Sequence, residues 1–287
     1  MTMQLQTSRC SRAISSALAA AVTLVSPQAI ADEFALSASP PRFELATKPG
    51  VTVRDVAELS NASPMAATFT FATADWDLNP SGGINLHNEL TPGSCRPWVA
   101  IERNQVTLMP KSRLRYRFEV SPPIDAAPTE CRFAILVKGG EERVAPSKET
   151  SFPVSAQIAL IVYVAVGNVK PEITIVKADV VPIGGVQTPV LMVKNTGTAH
   201  GRLSTQLSGT DAAGKKREFS ASTLPILPGE TRMIALNEDL GEDAISLTDP
   251  HHPKAPSKVS PIVFPLNMSG MISDSVKSFK FDGTFAP

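Results

Sequence analysis

The sequence predicts an all-β protein built as two β-sandwiches in tandem, and three observations predict it. The 287 residues include 25 prolines and 17 glycines spread along the chain, which disfavours long helices. Between these breaks lie short stretches in which apolar and polar residues alternate, the period of a half-buried strand. The third is residues 152–166, a charge-free, β-prone run that reads as one strand of about 14 residues, well beyond the usual length.

The chain opens on a secretory pattern. Arg9 and Arg12 form a short basic start, residues 13–25 are apolar and small, and Ala29-Ile30-Ala31 is a small-x-small cleavage site. Residues 1–31 are therefore expected to be a signal peptide, since the run is too short to span a bilayer. Loss of two arginines from 27 basic residues leaves 25 against 27 acidic ones. So balanced a charge offers no case for a nucleic-acid surface or a polybasic membrane patch, and neither nucleic acid nor stable membrane insertion is expected. Cys10 leaves with the leader, and the remaining pair, Cys95 and Cys131, most simply forms one disulfide in an exported chain. The rival reading, two zinc ligands, lacks the other two at any recognisable spacing.

The first module is expected over residues 32–168. Residues 34–45 carry Pro40-Pro41, which suits an edge strand or one that switches sheets. Lys48-Pro49-Gly50 turns, residues 51–59 alternate, Asn61-Ala62-Ser63-Pro64 turns, and residues 66–73 alternate again. Asn79-Pro80-Ser81-Gly82-Gly83 is the next break. Strands are then expected at 98–101, 105–108, 114–120 and 131–137, with a proline-rich loop over 121–129. Residues 138–151, carrying Gly139-Gly140 and charged residues, read as a mobile loop.

The long strand follows at once. Its even positions Phe152, Val154, Ala156 and Ile158 are apolar while Pro153, Ser155 and Gln157 are not, and beyond Ile158 both faces are apolar. Such a ribbon at a sheet edge invites aggregation unless something covers it, so it is either central or kept for a partner. After the linker Gly167-Asn168-Val169-Lys170-Pro171, a second module is expected over 172–287. Its strands are placed at 172–181, 189–194, 201–208, 215–221, 231–236, 262–268 and 276–281, the spacing of an immunoglobulin-like sandwich. Its opening, ending in Asn195, parallels residues 51–61 of the first.

Motifs for catalysis are absent: no Gly-x-Ser-x-Gly, no His-Glu-x-x-His, no Cys-x-x-Cys and no calcium loop. Residues 209–216 approach a phosphate loop, but Lys216 stands where Ser or Thr is needed, and a strand follows instead of a helix. His251-His252 in a proline-rich loop has no assignable third ligand. His87 and His200 look like isolated surface residues, Asp75 and Asp77 like solvated acids without a partner, and Trp76 and Trp98 like core anchors. No enzyme activity, metal or cofactor is implied.

One order of features is recognisable. Ser39-Pro40-Pro41-Arg42-Phe43-Glu44-Leu45 comes first, then residues 51–61, then Val106-Thr107-Leu108-Met109-Pro110 before an alternating strand. Ser121-Pro122-Pro123 and Glu130-Cys131-Arg132-Phe133 follow, then a loop and a long apolar strand ending near Tyr163. This order resembles the PapD-like periplasmic chaperones of pilus assembly over about residues 34–167. The resemblance implies a non-catalytic chaperone of the periplasm that lends its long strand to fimbrial subunits and delivers them to an outer-membrane usher. β-Augmentation is the physics of such lending. The subunit-binding residues would be Arg42, Phe152, Val154, Ala156, Ile158 and Leu160. In that family an arginine on the first strand and a lysine late in the donor strand hold the subunit's terminal carboxylate. Arg42 falls at the first position, but Leu160 stands near the second, and no basic residue lies between Lys148 and Lys170. The cysteine pair also departs from the family's general pattern. The alternative expectation is a secreted or surface structural sandwich, itself a pilus component, whose long strand is central.

Overall fold

The computed structural model describes residues 35–140, 142–147, 150–239 and 260–287, the stretch 142–154 by its backbone alone. The expected signal peptide over residues 1–31, and His251 and His252, lie outside these residues. The fold is all-β, as the sequence predicts, and it has two large cores with no residue in common.

The first sandwich contains β1 (Leu36–Ser39), β2 (Arg42–Thr47), β3 (Val53–Asn61), β4 (Ala67–Leu78), β5 (Ile84–His87), β6 (Val99–Ile101), β7 (Gln105–Leu108), β8 (Arg113–Val120), β9 (Thr129–Gly139), β10 (Glu142–Ser147), β11 (Thr150–Val154) and β12 (Gln157–Val166). One sheet runs β1-β3-β8-β6, and the facing sheet runs β2-β12-β9-β4-β5, with β7 also on β4. The strand that opens the domain changes sheets at Ser39-Pro40-Pro41, where prolines have no N–H to give a ladder. Between the sheets, Phe118 meets Phe43 and Phe133 edge-on at 5.0 and 6.4 Å. Tyr116 stacks on Phe71 at 4.1 Å and donates its hydroxyl to the Arg103 carbonyl at 2.5 Å, while burial pushes that phenol up to about 12. Cys95 and Cys131 are disulfide-bonded with Cα atoms 5.7 Å apart, tying the segment before β6 to β9. Closing a loop of that length stabilises the fold by about 4 kcal/mol in the chain-entropy model.

The second sandwich contains β13 (Ile173–Ile183), β14 (Val186–Asn195), β15 (Ser204–Thr210), β16 (Lys216–Ala221), β17 (Thr231–Glu238), β18 (Leu266–Ser273) and β19 (Ser278–Phe285). Their order is β13-β14-β17-β16-β15-β18-β19. β17 joins the two layers: its first half pairs with β14 and its last residues with β16. Residues 211–214 form the hairpin turn expected there, with Asp211 Oδ1 accepting from the Ala213 and Lys215 amides. Gly184 and Gly185, both at positive φ, close the β13–β14 hairpin, a backbone that other residues enter at a cost.

Two sequence expectations fail in instructive places. The long ribbon is two strands, β11 and β12, interrupted at Ser155-Ala156. Its expected mobile neighbour is a strand as well, since β10 pairs antiparallel with β11. The hairpin is therefore longer than charge and glycine content suggested, because backbone pairing does not require an apolar face.

Candidate functional site

β12 is placed by pairing along its whole length with β9, from Gln157 opposite Lys138 to Val166 opposite Thr129. On its other edge, β2 runs parallel to it only from Ile161 opposite Arg42 to Val166 opposite Thr47. The consequence is a divided strand. Over 161–166 it is central, and Leu160, Val162, Val164 and Val166 are fully buried in the domain's own core. Over 157–160 its outer edge carries no strand among the described residues, and β11 continues that edge with only β10 on its inner side.

Strand alternation says which backbone groups face outward. The Ile161 amide donates to the Pro41 carbonyl at 3.1 Å, whereas the Ala156 carbonyl accepts from the Gly139 amide at 3.0 Å on the inner side. Neighbouring residues point their N–H and C=O to opposite edges, so Gln157 and Ala159 present theirs to the unpaired side.

The predicted binding residues are distributed unevenly over this edge. Phe152 and Val154 are on β11, where only backbone is described. Ala156 is half-buried in the interruption, and Ile158 is half-buried against the first core. Leu160 belongs to the core outright, so its side chain is already used in folding. Two residues lie between Val154 and Gln157 while three lie between their partners Glu142 and Lys138, so no single unbroken ladder carries the even-numbered stripe from 152 to 158.

The outer face of the same sheet leads into a cleft between the sandwiches. Across it Glu44, Tyr163 and Arg132 lie side by side on β2, β12 and β9. Arg132 sits over the Trp76 ring at 5.8 Å, and Trp76 meets Tyr163 edge-on at 5.3 Å. Leu227 from the second sandwich packs into this group with Ala74, Ala134, Leu136 and Ile161. The cleft narrows to a cavity of about 280 Å³ lined by Glu44, Glu130, Tyr163, His200 and Arg202 among others.

His200 departs furthest from its sequence reading. Its ring stacks on Tyr163 at 3.8 Å, its Nδ1 lies 2.6 Å from Glu130 Oε2, and its backbone amide donates to the same oxygen at 2.8 Å. Far from an isolated surface residue, it joins two domains. Burial pushes the Tyr163 phenol up to about 12 and lowers the Arg202 guanidinium, whose charge also acts against that of Arg42. Asp75 and Asp77 also have partners: buried Asp75 accepts from Thr91 and Ser94, and Asp77 holds His87 and Asn85. Trp76 is buried and Trp98 packs against the first core, as anchors should. Among the described residues no group of acids, histidines or cysteines is gathered for a metal ion, and no helix is long and apolar enough to cross a membrane.

These features define a class: a two-sandwich protein with an incompletely covered sheet edge running into an interdomain cleft. Solved structures similar to it include the YadV chaperone, with 8% identity over 87% of this chain and 99% of that one and a TM-score of 0.45. The SafA pilin–SafB chaperone complex of Salmonella enterica gives 11% identity, 87% and 97% coverage and a TM-score of 0.45. The CsuC–CsuE chaperone–tip adhesion subunit complex of Acinetobacter baumannii gives 13% identity, 88% and 99% coverage and a TM-score of 0.43. No protein-family model and no curated protein matches the chain.

Proposed function

We propose that this protein is a non-catalytic periplasmic chaperone that binds pilin or fimbrial subunits by lending them the strand edge of residues 150–160, and passes them to an outer-membrane usher. One observation carries the reading: among the described residues, the outer edge of β12 is closed by β2 from Ile161 onward and left open before it. An incomplete subunit sandwich adding its strand there would pair with outward groups such as those of Gln157 and Ala159, gaining affinity from backbone hydrogen bonds. Phe152, Val154, Ala156 and Ile158 would supply apolar contacts, and Arg42, at the closed end of the slot, would hold the subunit's terminal carboxylate. Leu160 supports the site from inside the core. Cofactors and metals have no part in this mechanism.

Ala159→Pro tests the proposal. The substitution removes an N–H that no strand among the described residues uses, so folding should be nearly unaffected, whereas a guest strand loses its partner. Co-expression with a pilin subunit should give a stoichiometric complex for the wild type and none for the variant, at similar urea midpoints. An undiminished complex would overturn the strand-lending mechanism and favour the structural-sandwich account, in which β12 serves only its own domain.

A further inference from the structure

Arg42 shares the mouth of the cleft with a second arginine, Arg202, which comes from the other sandwich just ahead of β15. One atom, Glu44 Oε1, lies 2.8 Å from Arg42 Nε, 3.6 Å from His200 Nε2 and 3.8 Å from Arg202 Nε. Only the first is a hydrogen-bond distance. Arg202 Nε is buried with no hydrogen-bond partner among the described residues. The rest of that guanidinium is held in place, with Nη1 donating to the Thr223 carbonyl, Nη2 3.4 Å from the Tyr163 hydroxyl, and Cζ 5.9 Å from the Tyr163 ring centre. Glu130, another carboxylate on the wall, engages His200 through Oε2 and has its Oε1 3.9 Å from Arg132 Nε. Two guanidiniums therefore converge on one carboxylate, and Glu44 is half-exposed and able to swing away.

The open edge of β12 ends at the same place. A strand added along residues 157–160 runs into the start of β2, where Ile161 is already bonded to Pro41, so the slot accepts a chain end there. Two cations favour a carboxylate end over an ammonium end, which sets the guest strand parallel to β12. Resting on the strand-lending reading, we infer that Arg202 is the second cation of a carboxylate clamp whose two halves come from different sandwiches. Glu44 fills that clamp in the empty protein as a stand-in for the guest's terminal carboxylate. The donor strand needs no lysine of its own, because the second domain supplies the charge. A bound guest then ties both domains at one point.

The test uses the full chain and a labelled peptide of alternating valine and threonine, made once with a free carboxyl end and once as the amide. The wild type should prefer the carboxylate form. Arg202→Gln, which leaves Arg42 alone, should cut that preference about tenfold, and Arg202→Lys should keep more of it. Glu44→Gln, which empties the clamp without touching either arginine, should raise the preference by a similar factor. The amide form should bind all four proteins alike. A preference undiminished by Arg202→Gln and indifferent to Glu44→Gln removes Arg202 from the site while strand lending stands. Failure of both peptides to bind the wild type brings down strand lending, and the clamp with it.

Discussion

Asn195 is fully buried at the end of β14, and all four of its hydrogen-bonding directions are used. Its Nδ2 donates to the Ala199 and Ile226 carbonyls at 2.8 and 2.9 Å, and its Oδ1 accepts from the Glu172 and Gly197 amides at 3.1 and 2.9 Å. Asn61 does similar work at the end of β3, donating to Met65 and Met109 and accepting from Ser63. The sequence parallel between the two asparagines thus marks one device used twice, a buried amide that stitches loops to a strand end. Asn195→Ala strands buried backbone groups on three segments and should cost about 3 kcal/mol, read as a lower urea midpoint at unchanged slope. On the surface, Asp77 offers a milder case. Its hydrogen bond from His87, then that from Asn85, hold its carboxyl below the usual aspartate range. The stability it contributes is accordingly present above the ordinary aspartate pKa and is lost as pH falls through the lowered folded value. Carbon-detected titration should find that lowered value, and His87→Ala should return it toward normal.

At the scale of elements, β12 is one strand with two lives, and amide exchange should display the division. In the protein without a guest, the Gln157 and Ala159 amides should exchange quickly while those of Ile158 and Leu160, which face β9, stay protected. Uniform protection across 157–160 would mean that something already covers the edge. Much of this element was legible in sequence, since the apolar, charge-free run from Gln157 to Val166 could only be a β-strand in a chain so rich in turns. Its interruption at Ser155-Ala156 was not, because neither residue breaks the period-2 pattern and only the partner strand reveals the offset. β5 was missed for a related reason: Ile84-Asn85-Leu86-His87 is too short to show a period, and it is held by pairing with the end of β4. The cleft was the least legible part. Glu130, Tyr163, His200 and Arg202 are brought together from both domains, and no spacing along a chain encodes a contact across 70 residues.

At the scale of the whole molecule, the relation between the sandwiches is set by few contacts, and they are polar as much as apolar. The linker itself leaves little slack. Gly167 donates to Thr47 in the first domain, while the Lys170 carbonyl accepts from Thr198 and Ala199 in the second, so only Asn168 and Val169 lie between the two anchorages. Beyond them, Glu130 grips His200, Arg232 donates to the Asn79 carbonyl at 3.2 Å, and Leu227 plugs the apolar row beside Trp76. Gly82, at a φ of 86°, brings its turn so close to Leu224 that an added Cβ would lie 2.6 Å from that side chain. Domains joined in this way move relative to one another unless their interface is large and apolar, and here the polar contacts carry much of the orientation. Glu130→Ala combined with Leu227→Ala removes one contact of each kind without entering either large core. Both sandwiches should therefore keep their separate unfolding midpoints within about 1 kcal/mol, since neither change makes a cavity inside them. Residual dipolar couplings should nonetheless cease to fit one common alignment of the two domains. A single shared alignment in the double variant would place the control of orientation in Asn168 and Val169 instead, and the cleft contacts would then be a result of the linker's geometry.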